Sequence, residues 1–394
     1  MNKGWKYQKI GAVCTVERGG SPRPIDKFIT DSEDGINWIK IGDTTDSMYI
    51  TQTAQKIIPE GMKKSRYVKP GDFLLSNSMS FGRPYILAID GCIHDGWLVL
   101  RDDNNVFDKR FLYYYLSSKT TYEKFKSLAV GGVVNNLNSE MVRNVDVPVP
   151  NKDEQVEVAD LMDKLSSVID DRKKELNLLD NLIKARFVEM FGDPVINPYG
   201  LPMMTLGELS ELITKGASPS WQGFSYTDDN SQTLFVTSEN VREGYLDLSS
   251  PKYIEDGFNE KQKRSMIYKG DFLINIVGAS IGRAAQFNLD CKANMNQAAA
   301  LVRVNDDRIR DKYLLIYLNS EKAQHMYNSM KSDTGRANLS LQDINDLSIM
   351  IPPVDKQIEY ELFVEQVDKS KVIVQKSLYK TQLLYDSLMQ EYFG

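Results

Sequence analysis

The sequence predicts an α+β chain: two tandem mixed α/β domains, each followed by a long helix, the two helices pairing as a coiled-coil spacer. Three observations predict it. The chain repeats itself about 202 positions on: Asn136-Leu137-Asn138 answers Asn338-Leu339-Ser340, Gln155 answers Gln357, and Phe191-Gly192 answers Phe393-Gly394. Each copy opens with short strand-like runs between glycine and proline turns. Each copy closes on a long charged stretch free of Gly and Pro, with apolar residues stepping by three and four.

Residues 1–150 form the first domain. Phe73–Leu75, Tyr85–Ile89 and Trp97–Leu100 read as strands, and Gly19-Gly20-Ser21-Pro22, Lys69–Asp72 and Gly131-Gly132 as turns. Aromatic and apolar spacing over Phe107–Lys126 reads as a helix, with Tyr113-Tyr114-Tyr115 as packing residues rather than a stacking platform. Val145–Pro150 is extended, because a proline disfavours helix at the residue before it. Residues 151–192 form a central helix opened by Asn151 or Asp153 and stopped by Gly192-Asp193-Pro194. Residues 193–203 are a linker, 204–353 a second domain, and 354–394 a second long helix.

The seam of the first helix is read at Leu161, Leu165, Val168, Leu176, Leu179 and Ile183, interrupted at Arg172. That of the second is read at Phe363, Val367, Val374, Leu378, Tyr385 and Leu388, with Ser370 and Thr381 as polar breaks. Two apolar stripes of equal length in one chain bury each other most simply by pairing. The pattern leaves the pair's direction open. About 39 residues at ~1.5 Å each make a rod of roughly 58 Å.

Composition excludes several classes. The chain has 394 residues, 42% hydrophobic and 10% aromatic, enough for real cores. No apolar run reaches membrane-spanning length, and the first residues lack a signal-peptide core, so a cytoplasmic protein is expected. Three scattered cysteines (Cys14, Cys92, Cys291) suggest neither zinc nor disulfides. A formal charge of −6 runs against a general nucleic-acid binder but leaves room for a local basic face.

A search for catalytic residues finds none. His94 beside Asp95 resembles a base and its orienter, but the second copy has Asn294-Met295-Asn296 at the related place. His325 lies on a helical stretch, facing outward. Gly278–Arg283 lacks the Gly-Lys-Ser/Thr ending of a phosphate loop. Asn197-Pro198-Tyr199 is one proline short of a methyltransferase tetrad. The acid-x-Lys triplets, Asp171–Lys173 and Asp290–Lys292, lack the context of a nuclease. Neither a catalytic nor a metal site is expected.

What remains is three polar loops at matching places in both copies. The first holds Arg18, Ser21 and Arg23 against Lys215, Ser218, Ser220 and Trp221. The second holds Ser76, Asn77, Ser80 and Arg83 against Asn275, Ser280 and Arg283, with Asn296 on a neighbouring turn. The third holds Asn135 and Asn136 against Arg336 and Asn338. Such side chains reach phosphate oxygens and base edges, so these are the candidate DNA-binding residues.

These residues carry a resemblance. Leu206-Gly207-Glu208-Leu209 at a domain start, Gly-Asp-Phe-Leu before a polar loop and Gly-Arg, Asn-Leu-Asn/Ser before a proline pair and Gln, and Phe187–Pro194 closing the central helix occur in order. Together they resemble the DNA-specificity (S) subunit of type I restriction-modification systems, over essentially the whole chain. The resemblance implies two target-recognition domains, each reading one half of a bipartite double-stranded DNA sequence. It implies helices that fix the gap and dock two modification subunits, which use S-adenosylmethionine for adenine-N6 methylation. Motor/nuclease restriction subunits would join for cleavage. This chain would bind no cofactor and no membrane and catalyse nothing itself. Two other readings fit the residues: a specificity module of another methylation-based defence system, and a twin-domain protein-binding scaffold.

Overall fold

The computed structural model describes residues 4–77, 82–129, 136–194, 196–330 and 338–394. They form two compact units, Met1–Lys174 with Val374–Gly394, and Glu175–Ile373. Each unit therefore combines one sequence domain with part of both long helices, a division that cuts across the five linear segments. Gly131-Gly132 and the candidate residues Ser80, Asn135 and Arg336 lie outside the described residues.

In the first unit, strand Tyr7–Lys9 pairs antiparallel with Asp146–Pro148, fastening the domain's start to its end. A central sheet runs in the order Thr15–Arg18, Trp97–Arg101, Phe73–Ser76, Pro84–Leu87, Tyr49–Ile50. Its side chains alternate between two cores. Phe73, Leu75, Ile86, Leu98 and Leu100 meet the aromatic helix through Phe111, Leu112 and Tyr115. Leu74, Tyr85, Leu87, Trp97 and Val99 meet Ile39, Val68 and Ile93 of a second sheet. Burial on both faces explains why these strands read as unbroken apolar runs. The second unit repeats the plan: Phe272 and Ile274 face the helices, Leu273 the other sheet.

The single helix expected over Phe107–Lys126 is two, Lys109–Ser117 and Lys119–Ala129. Ser118 between them is extended, and its hydroxyl accepts from the Thr121 N–H, starting the second helix. Tyr114 and Tyr115 are buried.

The long helices span Lys152–Phe191 and Val354–Phe393. Asn151 caps the first, its Oδ1 accepting from the Glu154 N–H at 2.9 Å. Gly192, at φ +79°, ends it. Within the second unit Arg186 pairs with Glu359, Tyr360 Oη donates to the Ile183 carbonyl, and Lys371 reaches Asp180. Numbers fall along one helix as they rise along the other, so the pairing is antiparallel. In the first unit Val158 and Met162 share a core with Leu388 and Phe393.

Two seam positions are corrected. Val168 is exposed and Ile169 buried in its place; Val364 is buried and Phe363 only partly covered, under the Arg186 guanidinium. The seams then step by four and three through Leu165, Ile169, Arg172, Leu176, Leu179 and Ile183, and through Tyr360, Val364, Val367, Lys371, Val374 and Leu378.

Candidate nucleic-acid interface

The three loops of each copy meet at one end of its central sheet. In the first unit, loop one leaves the strand ending at Arg18 and loop two the strand ending at Ser76; both strands flank the start of Trp97–Arg101. Loop three joins them, the Leu137 N–H donating to the Asn77 carbonyl at 3.0 Å. In the second unit the Leu339 N–H donates to the Ile276 carbonyl at 2.9 Å, and Val277 bridges Asn338.

Loop one is pressed against the turn beside it. A Cβ on Gly19 would stand 2.1 Å from the His94 carbonyl oxygen, and one on Gly216 1.8 Å from that of Met295. These glycines let protein backbone approach protein backbone. Gly82 and Gly282 adopt φ +80° and +86° against Phe125 and Tyr327, a turn that leaves Arg83 and Arg283 exposed.

Four candidates of the first copy converge on Asp95. Ser21 Oγ donates to Oδ1 at 2.7 Å and Arg23 Nη2 lies 3.4 Å from Oδ2. Arg18 Nε and Asn77 Nδ2 donate to the Asp95 carbonyl at 3.1 and 2.8 Å. The Ser21 hydroxyl holds the Asp95 carboxyl below its ordinary range. Asp95 is thus an organising anion, and Arg23 extends from it, 82% exposed.

Three candidates do not face outward. Ser76, Asn77 and Asn275 are 1%, 1% and 0% exposed, and they hold the loops together. Ser76 Oγ accepts from the Arg83 N–H, and Asn275 Nδ2 donates to the Ser238 carbonyl and Ser280 Oγ. Arg18, Arg23, Arg83, Lys215, Ser220, Trp221, Arg283 and Asn338 are exposed; Ser21, Asn136, Ser218, Ser280 and Asn296 are half-buried.

His94 is a turn cap. Its Nδ1 accepts from the Gly96 N–H at 2.6 Å, as Asn296 Oδ1 accepts from the Ala298 N–H at 3.1 Å in the second copy. Its ring stacks on Trp97. Burial pushes its pKa down. Above the unfolded value of about 6.5 both states are neutral. Below it the unfolded chain gains a proton that the folded site resists, so stability falls as pH drops through that value. Thermal melts between pH 7.5 and 5.5 should show a smaller loss for His94→Asn; equal losses would remove His94 as the source.

Sequence reasoning missed a basic segment beside loop one in each copy. Lys63, Lys64 and Arg66 occupy it in the first, Lys261, Lys263 and Arg264 in the second. Lys64 and Lys261 each place Nζ 5.2 Å from a ring centroid, Phe28 and Phe224. Lys63, Lys64, Lys263 and Arg264 are exposed and form no ion pair among the described residues. The available signal was a Lys/Arg run before both Gly-Asp-Phe motifs. Among the described residues no three His, Cys, Asp or Glu are grouped to hold a metal, and no helix is long and apolar enough to cross a membrane.

The profile of the type I restriction modification DNA specificity domain matches residues 2–181 and 200–381. The specificity subunit of the type I restriction enzyme EcoKI from Escherichia coli K12 is 22% identical, over 100% of this chain and 89% of its own length. That of MjaIX from Methanocaldococcus jannaschii is 21% identical, over 98% and 92%. Among solved structures, a chain from an assembled type I restriction-modification system aligns over 100% of this chain and 98% of its own, with TM-score 0.65 and 18% identity. The S subunit from M. genitalium aligns over 100% and 97%, with TM-score 0.54 and 15% identity.

Proposed function

Because the chain belongs to the type I restriction modification DNA specificity family, we propose that it is the DNA-recognition subunit of a type I restriction-modification complex, each domain reading one half of a split double-stranded target. One observation carries this reading: in each repeat three polar loops gather at one sheet end beside unpaired cations. Loop side chains such as Arg23, Arg83, Trp221 and Arg283 face the bases, and the basic segments hold phosphates. That division resolves the conflict with a net charge of −6, since phosphate contact depends on local cations.

The chain catalyses nothing; methylation of adenine belongs to two modification subunits with their S-adenosylmethionine, and cleavage to motor/nuclease subunits. Partner docking is supported by apolar residues left outside the helix seams. In the second unit these include Leu178 at 66% and Ile373 at 69% exposure; in the first, Tyr379 at 63%, Leu383 and Leu384. Exposed apolar groups concentrated on one element mark interaction surfaces.

The test is a methylation map of plasmid DNA from cells expressing this chain with its modification subunit, and each alone. A split motif methylated only when both are present supports the reading. No methylation from a soluble, associated pair refutes it and favours the scaffold. A Lys63→Glu/Lys64→Glu chain should bind all sequences more weakly, lowering the salt slope by about 1 per lost phosphate contact, with an unchanged motif. A changed half-site would move these lysines to the bases.

A further inference from the structure

Trp221 is 89% exposed, whereas Trp38 and Trp97 are buried. It stands on a stiff mount. The turn Pro219–Gln222 begins with a buried proline and is closed by Gly223 at φ +82°. The Phe224 N–H donates to the Pro219 carbonyl at 3.0 Å. Phe224 packs edge-on against Phe258 at 5.6 Å, and Lys261 Nζ both covers the Phe224 ring and donates to the Gln222 carbonyl at 3.0 Å. The turn that carries the indole is thus fixed, with a lysine bonded to the residue after it, and the indole itself projects from the fold.

The first copy shares the buried proline, Pro22, and a lysine over a phenylalanine ring, Lys64 over Phe28, and ends the loop differently. Its loop presents Arg23, braced on Asp95. Shared supporting residues with a changed tip are what two readers of different sequences require. Arginine offers donors to base edges; an indole offers an apolar face and a single donor.

We propose that Trp221 is a specificity-determining contact of the second domain, packing its indole on the base surface of that domain's half-site. This rests on the DNA-recognition reading. An aromatic side chain with few rotatable bonds loses little freedom on binding, and the thymine methyl groups are the apolar surface that duplex DNA presents in its major groove.

The test uses the full chain assembled with its modification subunits, and duplexes carrying the mapped motif or the motif with one half scrambled. Trp221→Ala should weaken binding to the intact motif at least tenfold, leave binding to scrambled DNA unchanged, and relax one half-site in the methylation map. Trp221→Phe should recover part of the loss. The fluorescence difference between native and Trp221→Phe complexes should be quenched by the intact motif alone. Thermal melts of Trp221→Ala should match the native chain, because the side chain buries little. Native affinity and motif in Trp221→Ala would overturn the proposal and leave the recognition role standing. Equal weakening on scrambled DNA would also overturn it, making Trp221 a non-specific contact. If the native complex itself prefers no split motif, the recognition role fails first.

Discussion

Replacing Gln155 by Leu is expected to remove about 3 kcal/mol from the stability of the first unit, from buried groups left unpaired at ~1–3 kcal/mol each. Gln155 is 1% exposed. Its Oε1 accepts from the Asp108 N–H at 2.7 Å, and its Nε2 donates to the carbonyls of Val106 and Pro150 at 3.1 and 3.0 Å. One amide therefore ties the first turn of the long helix to the start of the aromatic helix and to the proline strand between them. Gln357, 202 positions on, makes the same three bonds: from the Arg310 N–H at 2.7 Å, and to the carbonyls of Arg308 and Pro352 at 2.8 Å each. Gln357→Leu should therefore destabilise the second unit by a similar amount. Glu at either position keeps the shape, loses the donor and places an acceptor against two carbonyls, so it should be no better than Leu. Urea unfolding followed by probes in each unit measures this. A loss under 1 kcal/mol in both Leu chains would mean that the freed groups find water.

The same pair shows what the sequence made legible. Gln155 and Gln357 stood out as a repeat, and their recurrence predicted equivalent places before any geometry was known. The central strands and both long helices were readable because burial writes an apolar pattern into the chain, unbroken runs where both faces are covered and steps of three and four where one is; the break at Ser118 between the two aromatic helices was not. Direction within a polar loop is written nowhere. Ser76, Asn77 and Asn275 share composition with Arg83 and Arg283, yet they turn inward because the loops need donors and acceptors to close. The seam slipped by one residue where two apolar side chains adjoin, Val168 with Ile169 and Phe363 with Val364, since steps of three and four admit either phase. Arg172 sits on a seam position and read as an interruption, whereas the break read at Ser370 falls on its neighbour Lys371. His94 looked like chemistry because it adjoins Asp95; its counterpart, Asn296, does the same capping with a different side chain.

Removing one heptad from both long helices, Ile169–Glu175 together with Lys371–Ser377, is expected to change the permitted gap between half-sites while leaving the half-sites as they are. The seams step by four and three, so a deletion of seven returns each remaining side chain to the same face. The Lys371–Asp180 pair goes with the excised turns, but the contacts on either side stay: Arg186 still meets Glu359 and Tyr360 still reaches Ile183 in the second unit, and Met162 still shares a core with Phe393 in the first. Seven residues at ~1.5 Å remove about 10 Å of helix, roughly three base-pair rises. Two tethered readers gain from each other only when the span fits, so the native gap should lose most of its methylation and a gap up to about three base pairs shorter should gain it. Deleting the heptad from one helix alone puts the antiparallel partners out of step and should abolish methylation at every gap. An unchanged gap after the double deletion would show that the helices do not measure the distance, and that the readers are positioned by the modification subunits instead.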